Sequence, residues 1–271
     1  MLSEINNDII NTIIQGETIE EMKRIADGSV DMILADLPYG TTACKWDAII
    51  PFEPLWAEYE RVIRPNGAIV LTASQPFTSA LIASNIDNFK HQWYWNKETG
   101  GAFAVAKYRP LSIVEDICVF TKNGKRVNYY PIMEEAKPEN IRPANKGSSV
   151  STAVPVASGV AKSRDGYDIR KRYPRNILTY NGRAGELNSL NRVHPTQKPV
   201  ALFEYLIRTY TNEGEVVLDN VIGSGTTAVA AINTGRQFIG IEREEEYVNI
   251  ARERVEQAYA ERAKTEVMSN E

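Results

Sequence analysis

Apolar positions along the chain fall into two patterns. Short continuous runs ended by a carboxylate or a turn read as buried strands of a parallel sheet, and stripes spaced three to four residues apart read as helices. The first clear strand is Asp31-Met32-Ile33-Leu34-Ala35-Asp36, followed by a proline turn. Residues 51–65 set Leu55, Tyr59, Val62 and Ile63 on one helical stripe, which Pro65-Asn66-Gly67 stops. A second buried strand follows at Ala68-Ile69-Val70-Leu71-Thr72, then a helix from Gln75 to Asn85, and strands at His91 to Trp95 and over 113–121. Between Lys122 and Arg192 periodicity lapses, and turn formers such as Asn123-Gly124, Lys146-Gly147 and Ser158-Gly159 take over. Regularity returns with an amphipathic helix over 199–212, carrying Leu202, Tyr205, Leu206 and Thr209 on one side. The strand Glu215 to Asp219, a glycine loop, a small-residue helix from Thr226 to Thr234, the strand Gln237 to Glu242 and a charged last helix complete the chain. Strands alternating with helices predict an α/β fold with a parallel sheet, interrupted by an insertion.

Composition narrows the class. With 271 residues, 43% hydrophobic and 24% charged, the chain has ordinary globular composition and length for a full core. No apolar run nears the roughly 20 residues of a bilayer crossing. The opening MLSEINNDII lacks a secretory layout, and two cysteines, Cys44 and Cys118, suit a reducing compartment, so a cytoplasmic location is expected. Only His91 and His194 stand beside those cysteines, without ligand spacing, and no metal site is expected. The net charge of −4 conceals a division: Lys122 to Arg192 holds fourteen Lys/Arg against six Asp/Glu, and the remainder of the chain carries a balance of −12. The basic block reads either as a solvated loop region or as a surface for a polyanion.

Two strand ends carry candidate chemistry. After Asp219, the loop holds Gly223, Ser224 and Gly225, the next helix opens on Thr226-Thr227-Ala228, and Glu242 ends the following strand nineteen positions after Gly223. This is G-x-G-x-x-A in a βαβ unit with an acid at ribose distance, and it points to a nucleoside-containing cofactor. Close helix–strand packing is the competing explanation of the small residues. Asp219 would repel a pyrophosphate over the loop and attract a cationic ligand. That favours S-adenosylmethionine (AdoMet), with NAD remaining as the alternative. The second strand end is Asp36-Leu37-Pro38-Tyr39-Gly40. Pro38 biases Leu37 toward extended backbone. Such a turn can offer a carboxylate, a carbonyl and an aromatic face to a planar base with an exocyclic amine, or it can simply cap a strand.

DLPYG resembles the DPPY motif of DNA amino-methyltransferases, which modify adenine-N6 or cytosine-N4, and LDNVIGSGTTAVAA looks like their AdoMet-binding motif. His194-Pro195-Thr196-Gln197-Lys198-Pro199 is similar to the segment preceding that motif in one subgroup, and Ile14-Gln15-Gly16-Glu17 onward to its N-terminal lead-in. The motif order matches the β class, and the likeness covers nearly the whole chain. Leu37, Asn220 and Val221 depart from the family pattern, standing where it has Pro, Pro and Phe.

The resemblance implies a Rossmann-like, AdoMet-dependent methyltransferase sheet with helices on both faces and an inserted target-recognition region. It divides the chain into a catalytic half over 1–121, a basic insertion over 122–192 and an AdoMet-binding half over 193–271. It assigns catalysis to Asp36, Leu37, Pro38 and Tyr39, by direct methyl transfer to the amine of a flipped base. It assigns AdoMet to Gly16, Glu17, Thr196, Lys198, Asp219, Gly223, Ser224, Gly225, Thr226, Thr227 and Glu242. Double-stranded DNA is the implied partner, contacted by Lys122, Lys125, Arg126, Arg170, Lys171, Arg172 and Arg175. A homodimer is allowed. Because the cytosine enzymes usually carry Ser at the Asp36 position, the implied target is adenine-N6, with cytosine-N4 as the alternative. An NAD-dependent oxidoreductase would leave DLPYG and the basic block without a role.

Overall fold

The computed structural model describes residues 7–41, 47–101, 103, 106–124, 126–136, 170–182 and 197–269. In chain order, β1 (Thr12–Gln15), α1 (Thr18–Met22), β2 (Val30–Ala35), α2 (Phe52–Val62) and β3 (Ile63–Ala73) open the fold. Then come α3 (Phe77–Ser84), β4 (Phe89–Gly101), β5 (Ser112–Phe120), β6 (Glu134–Glu135), β7 (Lys171–Arg172) and β8 (Ile177–Thr179). The chain ends with α4 (Val200–Tyr210), β9 (Val216–Asp219), α5 (Thr226–Asn233), β10 (Gln237–Glu242) and α6 (Glu245–Ser269).

Eight strands form one sheet in the order β1-β10-β9-β2-β3-β5-β4-β8. All pairings are parallel except those of β5, which runs against β3 and β4. The reversal has a local cause. The β4–β5 connection is too short for a crossover helix, and a short connection permits only antiparallel pairing. The chain separates into two compact units, Pro131–Arg175 and the remainder. In the first of these, β6 pairs antiparallel with β7. Strand β8 falls inside the stretch that reads as a basic insertion, yet it pairs with β4 and extends the large sheet.

Both faces of the sheet are covered, which explains the continuous apolar runs in β2 and β9. Met32 and Leu34 pack toward Leu202, Phe203 and Leu206 of α4 and the alanines of α5. Their neighbours Ile33 and Ala35 pack toward Met22, Leu55, Tyr59 and Val62 on α1 and α2. Period-two alternation thus feeds two cores from one strand. No helix among the described residues is long and apolar enough to cross a membrane.

Candidate active site

Strand direction reverses its order of travel between β2 and β9. From β9 the chain moves through α5 to β10, and from β2 it moves through α2 to β3, on opposite sides. In open α/β sheets such a switch point leaves a crevice beyond the strand ends. Here the ends of β1, β10, β9 and β2 carry Gly16 and Glu17, Glu242, Asp219 and Asp36, and all of these line one cavity of about 430 Å³.

On the β9–β10 side, the glycine loop takes conformations that other residues resist. Gly223 has φ +52° and Gly225 has φ +88°, and a Cβ on Gly225 would lie 3.0 Å from Cβ of Ala251 on α6. The loop is fastened by carboxylates. Glu242 Oε2 accepts from the Gly223 amide at 2.9 Å, and its Oε1 accepts from the Glu244 amide at 2.9 Å. Asp219 Oδ1 accepts from the Val221 amide at 3.1 Å, and Oδ2 accepts from the Thr227 hydroxyl at 2.5 Å. Burial pushes the Asp219 carboxyl up to about 7, against those two hydrogen bonds and helped by the nearby charges of Asp36 and Glu242. Arg254 donates to the Ser224 carbonyl at 2.7 Å and reaches Thr226 Oγ1 at 3.4 Å, so these two loop residues are also braced from α6. Glu17 caps α1 by accepting from the Glu20 amide at 3.1 Å.

The β2 side is an arrangement around one carboxylate. Asp36 Oδ1 accepts from the Tyr39 hydroxyl at 2.8 Å and from the Thr72 hydroxyl, and Oδ2 accepts from Lys198 Nζ at 2.7 Å. The Tyr39 ring stacks on Phe77 at 5.2 Å, with the Lys198 ammonium 5.8 Å from its centroid. Burial raises the Tyr39 phenol well above its ordinary range, and Asp36 adds to the effect, so the hydroxyl remains a donor. The turn beyond is fixed by Asp47, whose two oxygens accept from the Gly40 and Thr41 amides at 2.8 and 2.9 Å.

Lys198, which the resemblance groups with the cofactor residues, therefore lies on Asp36. Behind it stands Glu115, with Oε2 3.4 Å from Lys198 Nζ and Oε1 2.9 Å from Lys97 Nζ. Burial works to raise the Glu115 carboxyl, but the Lys198 and Lys97 ammonium groups prevail and hold it below its ordinary value. Burial likewise works to lower the Lys198 ammonium, and Asp36 and Glu115 prevail in raising it. Thr72, Lys97, Asp47 and Glu115 were not singled out from the sequence. The available signal was Glu115, a carboxylate inside the apolar run Ile113 to Phe120.

Among the expected basic contacts, Arg126, Arg170, Lys171 and Arg175 are exposed, and Lys122 and Arg172 are half-buried. The β6–β7 register sets Glu134 opposite Arg172 and Glu135 opposite Lys171. Lys125 and Thr196, like Cys44 and His194, lie outside the described residues. Cys118 is buried in the core, and burial pushes its thiol up to about 12, which removes it as a nucleophile at neutral pH. Among the described residues no group of His, Cys, Asp and Glu could hold a metal ion.

A family model for "DNA methylase" matches residues 30–253. The chain is 31% identical to the DNA adenine methyltransferase YhdJ of Escherichia coli (strain K12), spanning 91% of this chain and 83% of that protein. It is 27% identical to the type II methyltransferase M.HpaI of Haemophilus parainfluenzae, over 91% of this chain and 74% of the relative. Among solved structures, the M1.HpyAVI–SAM complex superimposes with a TM-score of 0.59 at 26% identity, covering 90% of this chain and 98% of that one. The cytosine-N4-specific PvuII DNA methyltransferase shares the fold, with a TM-score of 0.62 at 16% identity over 89% of this chain and 85% of its own. A match over that much of the sequence, on a sheet that brings Asp36 and Asp219 to one crevice, leaves one conclusion: the chain belongs to the DNA methylase family, whose members methylate adenine-N6 or cytosine-N4.

Proposed function

We propose that the protein transfers a methyl group from AdoMet to N6 of adenine in double-stranded DNA, acting on a base turned out of the duplex. The observation that carries this reading is the Asp36 carboxylate at the β2 end, facing the same cavity as the glycine loop after β9. AdoMet is the methyl donor of the family, which disposes of the dinucleotide alternative.

The residues of the β9–β10 side suit that cofactor. Three carboxylates, Asp36, Asp219 and Glu242, line the cavity; burial, helped by the other two charges, raises the Asp219 carboxyl, and a cation beside it would favour its ionised form. A sulfonium and an ammonium are such cations. Gly223 leaves its Cβ direction open, with the Val221 carbonyl oxygen, 4.0 Å away, the nearest atom among the described residues, so a ligand can approach the loop backbone. Glu242 uses one lone pair of each oxygen on backbone amides and retains others for ribose hydroxyls. Gly16, Glu17 and Ser224 to Thr227 complete this side in the proposed site, with Thr196 and Lys198 assigned to it by resemblance.

Bound AdoMet supplies an activated methyl group. What the protein adds is a nucleophile held in line and made competent. An aromatic amine is weak because its lone pair conjugates with the ring. Asp36 and the Leu37 carbonyl accept its two N–H bonds, favour a pyramidal nitrogen and stabilise the positive charge that grows there. Holding the amine in line with the transferred methyl contributes further rate. Pro38 sets the turn that aims the Leu37 carbonyl. Tyr39, stacked on Phe77, lines the cavity and is the aromatic residue proposed to meet the base. Lys122, Lys125, Arg126, Arg170, Lys171, Arg172 and Arg175 are the proposed phosphate and base contacts.

Adenine is preferred because a full carboxylate is the stronger acceptor, and because the 31% identical relative is named a DNA adenine methyltransferase. The test is incubation of the purified protein with AdoMet and mixed-sequence duplex DNA, followed by enzymatic digestion and mass spectrometry of nucleosides. N6-methyladenine is the expected product. Recovery of N4-methylcytosine alone would overturn the base assignment.

A further inference from the structure

We infer that Asp36 and Lys198 act as a pair that reads the edge of the target base, the carboxylate taking the exocyclic amine and the Lys198 ammonium donating to the ring nitrogen beside it, while Glu115 positions the ammonium. The inference rests on the adenine-N6 reading and deepens it by naming what recognises the base.

The edge of adenine offers a donor, the N6 amine, beside an acceptor, N7 on one side and N1 on the other. Its complement is an acceptor next to a donor at hydrogen-bonding distance from each other. Asp36 Oδ2 and Lys198 Nζ are 2.7 Å apart, and both residues line the cavity. Oδ1 already accepts from two hydroxyls, so the amine is left with Oδ2. An ammonium has three hydrogens. One goes to Oδ2, and Glu115 Oε2 at 3.4 Å is an ion-pair contact without hydrogen-bond alignment, so the remaining hydrogens are not both committed among the described residues.

Structural need does not account for this arrangement. Lys97, Glu115, Lys198 and Asp36 form a row of alternating charges, and the Lys198 side chain is 7% exposed. Buried ion pairs of this kind commonly contribute no more stability than apolar packing would. The Glu115 end also has slack. Its Oε2 is buried and takes no hydrogen bond among the described residues, although Lys198 is within ion-pair distance. An ion pair without hydrogen-bond alignment fixes where the ammonium sits but not how it is turned. Nζ can therefore turn a hydrogen to the base and keep both carboxylates. A base with a carbonyl at the amine's position would set oxygen against Oδ2, so the pair also rejects keto edges.

The test couples a protein group to a substrate atom. Once product mapping has located a methylated adenine, duplexes are made with adenine, 7-deazaadenine or 1-deazaadenine at that position. Single-turnover rates are measured for the parent, Lys198→Met with Glu115→Gln, and Glu115→Gln alone. The double variant removes the buried Glu115 charge together with its Lys198 partner and leaves Asp36 its two hydroxyl donors, and circular dichroism with thermal unfolding confirms that each variant is folded. In the parent, one deaza analogue should slow transfer by about tenfold or more beyond the other, the scale of a lost charge-assisted hydrogen bond. That analogue identifies N7 or N1. The double variant should lose this excess penalty, and Glu115→Gln alone should shrink it. Changes in amine reactivity caused by the deaza substitution are common to all proteins and cancel in the comparison. Equal penalties in parent and double variant for both analogues would overturn the pair. If mapping instead shows N4-methylcytosine, the adenine reading fails separately, and 3-deazacytosine in the same comparison decides the pair.

Discussion

The Tyr59 hydroxyl donates to Asn220 Oδ1 across 2.6 Å, joining α2 to the residue that follows Asp219. Asn220 in turn donates through Nδ2 to Thr18 Oγ1 at 2.8 Å, and the Thr18 hydroxyl donates to the Asn220 carbonyl at 2.7 Å. All three residues are buried. The proline of the family motif would restrict this turn through its ring, whereas here a closed set of hydrogen bonds restricts it. Tyr59→Phe leaves Asn220 Oδ1 buried without its donor, which should cost about 1–3 kcal/mol of stability. AdoMet affinity should fall with it, because the loop beside Asp219 loses a tether. Denaturant melts and calorimetry measure both, and a variant with parental values would show that the contact holds nothing in place.

How far the site was legible depended on what each residue interrupts. Asp36, Asp219 and Glu242 end apolar strands, where the alternation from core to loop makes a carboxylate conspicuous. Gly223 and Gly225 were legible because only glycine suits a positive φ beside a helix start. Thr72 and Lys97 were not, since each is an ordinary polar residue of a strand, and nothing local says that β3 and β4 deliver them to the same crevice. Their role depends on strand order, a long-range property. The same holds for Ile177–Thr179, three residues too short to display a period, which become a strand only by pairing with β4. The antiparallel course of β5 could not come from an apolar run, because buried parallel and antiparallel strands share that pattern.

Thr72 and Tyr39 both donate to Asp36 Oδ1, so each limits rotation of the carboxylate. Thr72→Val preserves shape and removes one donor. Methyl transfer under single-turnover conditions should slow by about tenfold, the equivalent of one net hydrogen bond of roughly 1.4 kcal/mol. AdoMet affinity should be unchanged, since Thr72 does not face the glycine loop. A variant with parental rate and reduced AdoMet affinity would contradict this division of the cavity.

The two glycines of the loop differ in what surrounds them. At Gly225 a Cβ meets Ala251 Cβ at 3.0 Å and Ala251 Cα at 3.1 Å, in addition to the strain of φ +88°. At Gly223 the strain of φ +52° stands alone, with the Val221 carbonyl 4.0 Å away. Gly223→Ala should therefore cost only about 1 kcal/mol of stability. Gly225→Ala should cost more, by the roughly 1–3 kcal/mol of overpacking where α5 meets α6. Thermal unfolding of the two variants without ligand checks the order. Equal losses would mean that α6 yields freely at Ala251.

Asp219 gives the site a pH dependence whose sign follows from its surroundings. Burial lifts its carboxyl from the ordinary 3.8 to about 7 in the folded protein. Between those values the folded state holds a proton that the unfolded state has released, so stability contributed by this group falls as pH rises through the window and levels off above about 7. A cationic ligand beside the carboxylate favours its ionised form, and below pH 7 binding must expel the proton. AdoMet affinity should therefore increase from pH 5.5 toward pH 7, with proton release visible as a calorimetric enthalpy that depends on the buffer. This range stays below the titration of an α-amino group at about 7.7–8.0, so the ligand's own ammonium does not confuse the result. Asp219→Asn should bind AdoMet more weakly, with affinity independent of pH across the same range. An unchanged pH slope in that variant would assign the linkage to another group and remove Asp219 from contact with the cation.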